Sequence, residues 1–132
     1  LELVESAAKK LGIAFDVEVS EIHHRHKRDA PSGTALALTQ AVQRGRGAMR
    51  VVQGRAGTGP ARDKSELGVA ALRGGDVAGE HTVYYFGDNE RLEITHRAGN
   101  ADIFARGALA AAEWIYGKPA GRYSMRDVLA AR

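Results

Sequence analysis

Residues 23 to 34 read His-His-Arg-His-Lys-Arg-Asp-Ala-Pro-Ser-Gly-Thr, six side chains that are cationic or become so on protonation, set against a proline-serine-glycine turn. Several readings compete for such a run. It is a solvated basic loop, or a patch for a polyanion, or a metal site, or a pocket for a small anion. A metal site fits poorly, because neighbouring residues of a strand point to opposite faces and Arg25, Lys27 and Arg28 would repel a cation. No metal ligand is expected. Polynucleotide binding also fits poorly, since no aromatic side chains that stack on bases are interleaved with the run.

The small-anion reading gains from the turn and helix start that come directly after the charges. Backbone N–H groups at a helix start are unpaired and carry partial positive charge, so a carboxylate placed there is favoured by about 0.3 to 2 kcal/mol. Gly33 lets a ligand approach the backbone and Thr34 adds a hydroxyl, which accounts for one anionic group. The histidines and Lys27 account for a second. A lysine among cations has its ammonium form disfavoured, so Lys27 is expected to donate a proton more readily, and a histidine can share that work. The residue types thus point to acid catalysis on a small dianion without naming a reaction.

The flanking pattern supplies the elements that would hold this site. Leu1, Val4, Ala7, Ala8 and Leu11 recur at helical spacing up to Gly12. The period then changes to two, with Ile13, Phe15, Val17 and Val19 alternating with polar residues, which predicts a strand to about Ile22. After the turn, 34–43 is a helix candidate, capped by Ser32 or Thr34 and ended by Gly45 and Gly47. A short strand is predicted at 49–52, then a glycine-rich, aperiodic loop over 53–66 that reads as mobile. Its Gly54, Gly57 and Gly59 match neither the GxGxxG nor the GxxxxGK[ST] phosphate spacing.

Strands are expected at 67–72, 81–86 and 91–97, with a short hairpin turn at 87–89. Helices are expected at 102–116 and 125–131. The fold class is therefore α+β: a mixed, mostly antiparallel sheet of about five strands with helices on one face. Val69, Ala71, Val83 and Tyr85 read as a second apolar face, which an oligomer partner would cover.

A chain of 132 residues with 44% hydrophobic content suits one domain with one core. The first residue is Leu1 and the opening already reads as helix, so the chain is expected to begin inside a longer polypeptide. No stretch reaches the roughly 18 apolar residues of a membrane span, and cysteine is absent. A cytoplasmic protein is the default expectation.

The run Glu21-Ile22-His23-His24-Arg25-His26-Lys27-Arg28-Asp29-Ala30-Pro31-Ser32-Gly33-Thr34-Ala35 resembles the signature of the dihydrodipicolinate reductases, the 4-hydroxy-tetrahydrodipicolinate reductases of the diaminopimelate route to lysine. Residues 72–82, 90–98 and 125–129 resemble further segments of the same family, so the likeness covers essentially the whole chain. The resemblance implies an enzyme with an N-terminal dinucleotide domain and a C-terminal part that binds substrate and forms a homotetramer through its sheet. Residues 1–132 would be that second part, and the glycine fingerprint of the first is absent here. It further implies NADPH or NADH as hydride donor and a cyclic dicarboxylate as substrate. By position, His23 would be the acid–base residue and Lys27 the proton donor, while His24, Gly33 and Thr34 would bind substrate.

One departure stands out. Members carry an arginine three residues before the phenylalanine that matches Phe104, and here that residue is Ala101; Arg97 or Arg106 are the candidates to replace it. The resemblance gives His81 and His96 no catalytic part, and both read as strand histidines satisfied by hydrogen bonds. The competing class is a non-enzymatic oligomerising or anion-binding module.

Overall fold

A computed structural model describes residues 1–131. It falls into two units, Leu1–Ala98 and the residues from Gly99 onward. The first holds α1 (Glu2–Leu11), a single 3-10 turn (Gly12–Ala14), β1 (Asp16–His23), α2 (Gly33–Arg46), β2 (Arg50–Gln53), β3 (Glu66–Arg73), β4 (Glu80–Gly87) and β5 (Glu90–Arg97). The five strands form one sheet in the order β2-β3-β1-β4-β5. The α+β class and the mixed sheet are as expected, but the pairings divide evenly: β1 and β2 each run parallel to β3, whereas β4 runs antiparallel to β1 and to β5.

Strand β1 is central, and its residues alternate in burial. Val17, Val19, Glu21 and His23 lie on the face covered by α1 and α2, level with Leu67 and Val69 of β3 and with Val83 and Tyr85 of β4. Val69, Val83 and Tyr85 therefore belong to the core beneath the helices and not to a second apolar face. Val4 and Ala8 of α1 and Ala35, Leu38, Ala41 and Val42 of α2 complete that core. Each fully buried Val or Leu contributes about 1.5 to 3 kcal/mol. The Tyr85 hydroxyl donates to the Val4 carbonyl at 2.7 Å, fastening α1 to the sheet. Burial pushes this phenol up to about 12, so it remains a donor.

Two boundaries differ from the sequence pattern, each for a local physical reason. The strand begins at Asp16 because residues 12–14 form the 3-10 turn, which leaves Ile13 exposed. Helix α2 runs through Gly45 to Arg46, since Gly45 is a packing residue: a Cβ there would sit 2.4 Å from the Glu5 carbonyl and 2.9 Å from Ala8. The helices approach closely only because that position is bare.

The opposite face of this sheet shows Ser20, Tyr84 and Phe86, with the Tyr84 and Phe86 rings stacked at 5.7 Å and Ser20 donating to Tyr84. The 54–65 loop is tied at this side by two arginines. Arg55 pairs with Glu18 at 2.8 Å and Glu66 at 3.0 Å; Arg62 reaches Asp16 at 2.7 Å and Glu18 at 3.0 Å, and also donates to the Val17 and Glu66 carbonyls. Parallel neighbours such as β2 and β3 need a long crossover, and this loop supplies it without a helix.

In the second unit, α3 (Asp102–Ile115) and α4 (Met125–Ala130) are joined by a loop in which Tyr123 meets Trp114 edge-on at 5.4 Å. A capping box between Ser124 and Asp127 starts α4.

Candidate active site

The candidate side chains lie at the C-terminal end of β1 and in the loop and helix start that follow it. Strands β3 and β4 flank β1 in opposite directions, so their connection, 74–79, must pass over that end. It does so through backbone bonds from His24 N–H to Val77 O (2.8 Å), from Arg25 N–H to Gly75 O (3.2 Å) and from Gly74 N–H to His23 O (3.0 Å). The cationic loop 24–32 leaves from the same point and leads into α2. Ser32 caps that helix, its hydroxyl accepting from Ala35 N–H at 3.2 Å. Among the described residues, the Gly33 and Thr34 N–H groups find no acceptor, as the first turn of a helix dictates. Both residues are exposed.

Glu21 is the hub. Its carboxylate is wholly buried and accepts four hydrogen bonds, two on each oxygen. Oε1 takes Arg73 Nη2 at 2.9 Å and Ser32 N–H at 3.0 Å; Oε2 takes Arg73 Nη1 at 2.8 Å and, in a short contact, His23 Nδ1. Arg73 continues outward to the Asp29 carbonyl at 2.6 Å and the Lys27 carbonyl at 3.3 Å. One carboxylate and one guanidinium thus hold the imidazole of His23, the backbone of the lysine loop and the residue that starts α2. Burial alone would raise the Glu21 carboxyl, but the bonds from Arg73, His23 and Ser32 outweigh it and hold the group below its ordinary range.

The residues singled out in the sequence occupy different surroundings. His23 is buried beside Glu21 and stands edge-on to His81, ring centres 5.1 Å apart. Lys27 is half-buried, and its ammonium pairs with Asp29 at 2.9 Å, so the charge it faces most closely is an anion and not the cations beside it in sequence. His24 lines an open hollow of about 610 Å³ with Arg25, His26, Gly75 and Asp76. Lys27, Gly33 and Thr34 do not line that hollow. Arg97 is engaged with Glu80 at 3.1 Å and Arg106 is exposed in the second unit, where Ala101 precedes α3.

Sequence reasoning gave no role to Glu21 and Arg73, and left His81 as a satisfied strand histidine. The last is correct: His81 Nε2 meets the Ser32 hydroxyl at 3.1 Å. A signal for Glu21 was present, because it falls in the buried phase of β1, where an unpaired carboxylate would be costly. His96 is exposed.

The network has a pH signature. Burial first, and then the neighbouring His23, hold His81 below its ordinary 6.5. The unfolded chain therefore binds that proton more readily than the folded one, so the stabilisation is complete above 6.5 and is lost as pH falls through the folded value. Glu21, held below 4.5, adds a second loss in more acid solution. Urea midpoints are expected to fall between pH 7.5 and 5.5, with His81→Gln flattening that interval and leaving the drop below 4.5. A flat profile in the unmodified protein over the upper interval contradicts this assignment.

Comparison with known proteins identifies relatives of this chain. The chain is 55% identical to the 4-hydroxy-tetrahydrodipicolinate reductase of Anaeromyxobacter sp. (strain Fw109-5), over 99% of this chain and 50% of that protein. It is 54% identical to the one from Aquifex aeolicus (97% and 48%) and 53% identical to the one from Methanopyrus kandleri (97% and 47%). It spans about half the length of the curated relatives it matches. A solved structure described as dipicolinate-bound dihydrodipicolinate reductase from Paenisporosarcina sp. TG-14 shares the fold, with a TM-score of 0.60 and 24% identity over 81% of this chain and 42% of that one. The family described as dihydrodipicolinate reductase, C-terminus, matches residues 1–129, and the chain belongs to it.

Proposed function

We propose that this chain is the substrate-binding and oligomerisation part of an NAD(P)H-dependent 4-hydroxy-tetrahydrodipicolinate reductase, acting in lysine and diaminopimelate biosynthesis. The observation that carries the reading is the shared carboxylate of Glu21. It takes His23 on one oxygen and the N–H of Ser32 on the other, so an acid–base imidazole and a helix start with free N–H groups lie within the span of a single side chain.

In this reading one carboxylate of a small cyclic dicarboxylate rests on the Gly33 and Thr34 N–H groups and the Thr34 hydroxyl. His24 contacts the ligand from the hollow beside 74–79. Lys27 delivers a proton to the substrate as hydride arrives, and His23 exchanges protons beside it. The family resemblance supplies this division of labour, while Lys27, Gly33 and Thr34 lie outside the hollow that His24 lines.

The nicotinamide cofactor supplies the hydride when bound. Among the described residues no dinucleotide cradle is formed: β1 reaches α2 through a cationic loop containing Pro31, and Ser32-Gly33-Thr34 stands where a glycine-rich turn would be. The cofactor is therefore assigned mainly to a separate dinucleotide domain, and NADPH versus NADH is settled by steady-state rates with each. The face bearing Tyr84 and Phe86, opposite the helices of the first unit, is assigned to the tetramer.

The test is binding of pyridine-2,6-dicarboxylate to the full-length protein. At a ligand concentration one hundred times Kd, stabilisation of about 2.7 kcal/mol is expected, reduced in Thr34→Ala. No shift in melting temperature, together with no turnover of 4-hydroxy-tetrahydrodipicolinate with either nucleotide, defeats the reading.

A further inference from the structure

Glu21 makes a stronger statement about His23 than proximity alone. Three of the four groups that meet it can only donate, the two guanidinium N–H groups of Arg73 and the Ser32 amide, and the fourth is Nδ1 of the His23 imidazole. An ionised carboxylate has no hydrogen to give, so the ring nitrogen it meets, Nδ1, must carry one. A neutral His23 then has a single bare nitrogen, Nε2. That nitrogen faces Gly79, where a Cβ would lie 3.1 Å from it and the backbone adopts φ of +155°. Space is kept beside Nε2 by the absence of a side chain, and Nδ1 is closed off by the carboxylate.

Arg73 makes this arrangement rigid. Its two parallel bonds fix the plane of the Glu21 carboxylate, and its remaining bonds run to main-chain carbonyls of Leu72, Lys27 and Asp29. Rotating the carboxylate away from His23 would break the paired bonds and the one to Ser32 as well. The orientation of the imidazole is thereby coupled to the position of the lysine loop and of the helix start.

We propose that Glu21, locked by Arg73, is the positioning residue for His23: it imposes the Nδ1–H tautomer and leaves Nε2, beside Gly79, as the nitrogen that exchanges protons during turnover. The proposal rests on the reductase reading for its catalytic consequence, but the tautomer is a property of the folded protein alone. Neither Glu21 nor Arg73 touches the substrate in this scheme. Both act through the imidazole.

The test uses full-length protein with ¹⁵N-labelled histidine. With the ring neutral, long-range ¹H–¹⁵N spectra are expected to show a pyrrole-type Nδ1 and a pyridine-type Nε2 for His23. Glu21→Gln keeps the shape but offers either an amide donor or an amide acceptor, so the two nitrogens should move toward averaged shifts. In the same variant kcat is expected to fall by about tenfold or more, with KM for the dicarboxylate held within about threefold. Glu21→Asp, which keeps the charge on a shorter stem, should recover part of kcat and of the shift pattern. A bare Nδ1 with protonated Nε2 in the unmodified protein overturns the proposal, and so does a folded Glu21→Gln protein with unchanged kcat. If the unmodified protein turns over no substrate, the reductase reading falls separately, and the nitrogen shifts still decide the role of Glu21.

Discussion

Replacing Lys27 by alanine in the full-length protein is expected to lower kcat by about 10²- to 10⁴-fold, the usual contribution of a positioned proton donor. The side chain is half-buried and its ammonium is held by Asp29 at 2.9 Å, so in the proposed reaction it would start already oriented. His23→Ala should cost a factor of the same order, since the imidazole at this end of β1 is buried and aligned by a carboxylate. The two variants are separable from a binding defect. Thr34→Ala removes only a hydroxyl at the helix start and should raise KM more than it lowers kcat. Stopped-flow single turnovers at saturating substrate measure the difference. A Lys27→Ala enzyme whose single-turnover rate stays within about twofold of the unmodified one removes the lysine from the chemistry, because a proton donor acting in the transition state cannot be lost so cheaply.

The helix start, its serine cap and the strand that delivers the cations were legible because each rests on local chemistry. Ser32 has a hydroxyl at the capping position, Gly12 ends α1, and Val17 and Val19 alternate with polar residues. Strand direction was not legible. Nothing in Leu67 to Leu72 states that β3 runs parallel to β1, and the hairpin reading of the later strands tilted the expected mixed sheet toward antiparallel pairing. The loop over 54–65 carried the information in its length, for only a parallel pair requires so long a connection. Its glycines suggested mobility, while Arg55 and Arg62 supply the ties whose partners, Asp16, Glu18 and Glu66, lie too far away in sequence to be matched by inspection.

The same limit explains the site. Lys27, His23 and the turn at Gly33 are neighbours in sequence, so an expectation of acid–base work on an anion could be formed from their types alone. Arg73 is remote from them in the chain and reaches them only because β3 lies beside β1 in parallel register, with His23 opposite Arg73. An antiparallel neighbour would have carried that guanidinium to the other end of the strand. Sheet order therefore decides whether Glu21 is a buried liability or an anchor.

Arg73→Ala tests that dependence and should give the largest loss of stability of any single change outside the apolar core. The substitution removes both bonds to Glu21 and those to the carbonyls of Leu72, Lys27 and Asp29, while leaving a wholly buried carboxylate without its counter-charge. Breaking such a pair from one side costs about 3 kcal/mol or more, which corresponds to a melting temperature lower by about 10 °C or more for a domain of this size. With the guanidinium gone, burial is no longer outweighed, so the Glu21 carboxyl should rise and the acid limb of stability should move to higher pH. The double variant Glu21→Gln, Arg73→Ala isolates the pair: once the carboxylate is neutral, losing the guanidinium should cost much less than it does alone. Equal losses for Arg73→Ala in the two backgrounds would mean that the arginine acts through the loop carbonyls only, and that the position of His23 owes nothing to it.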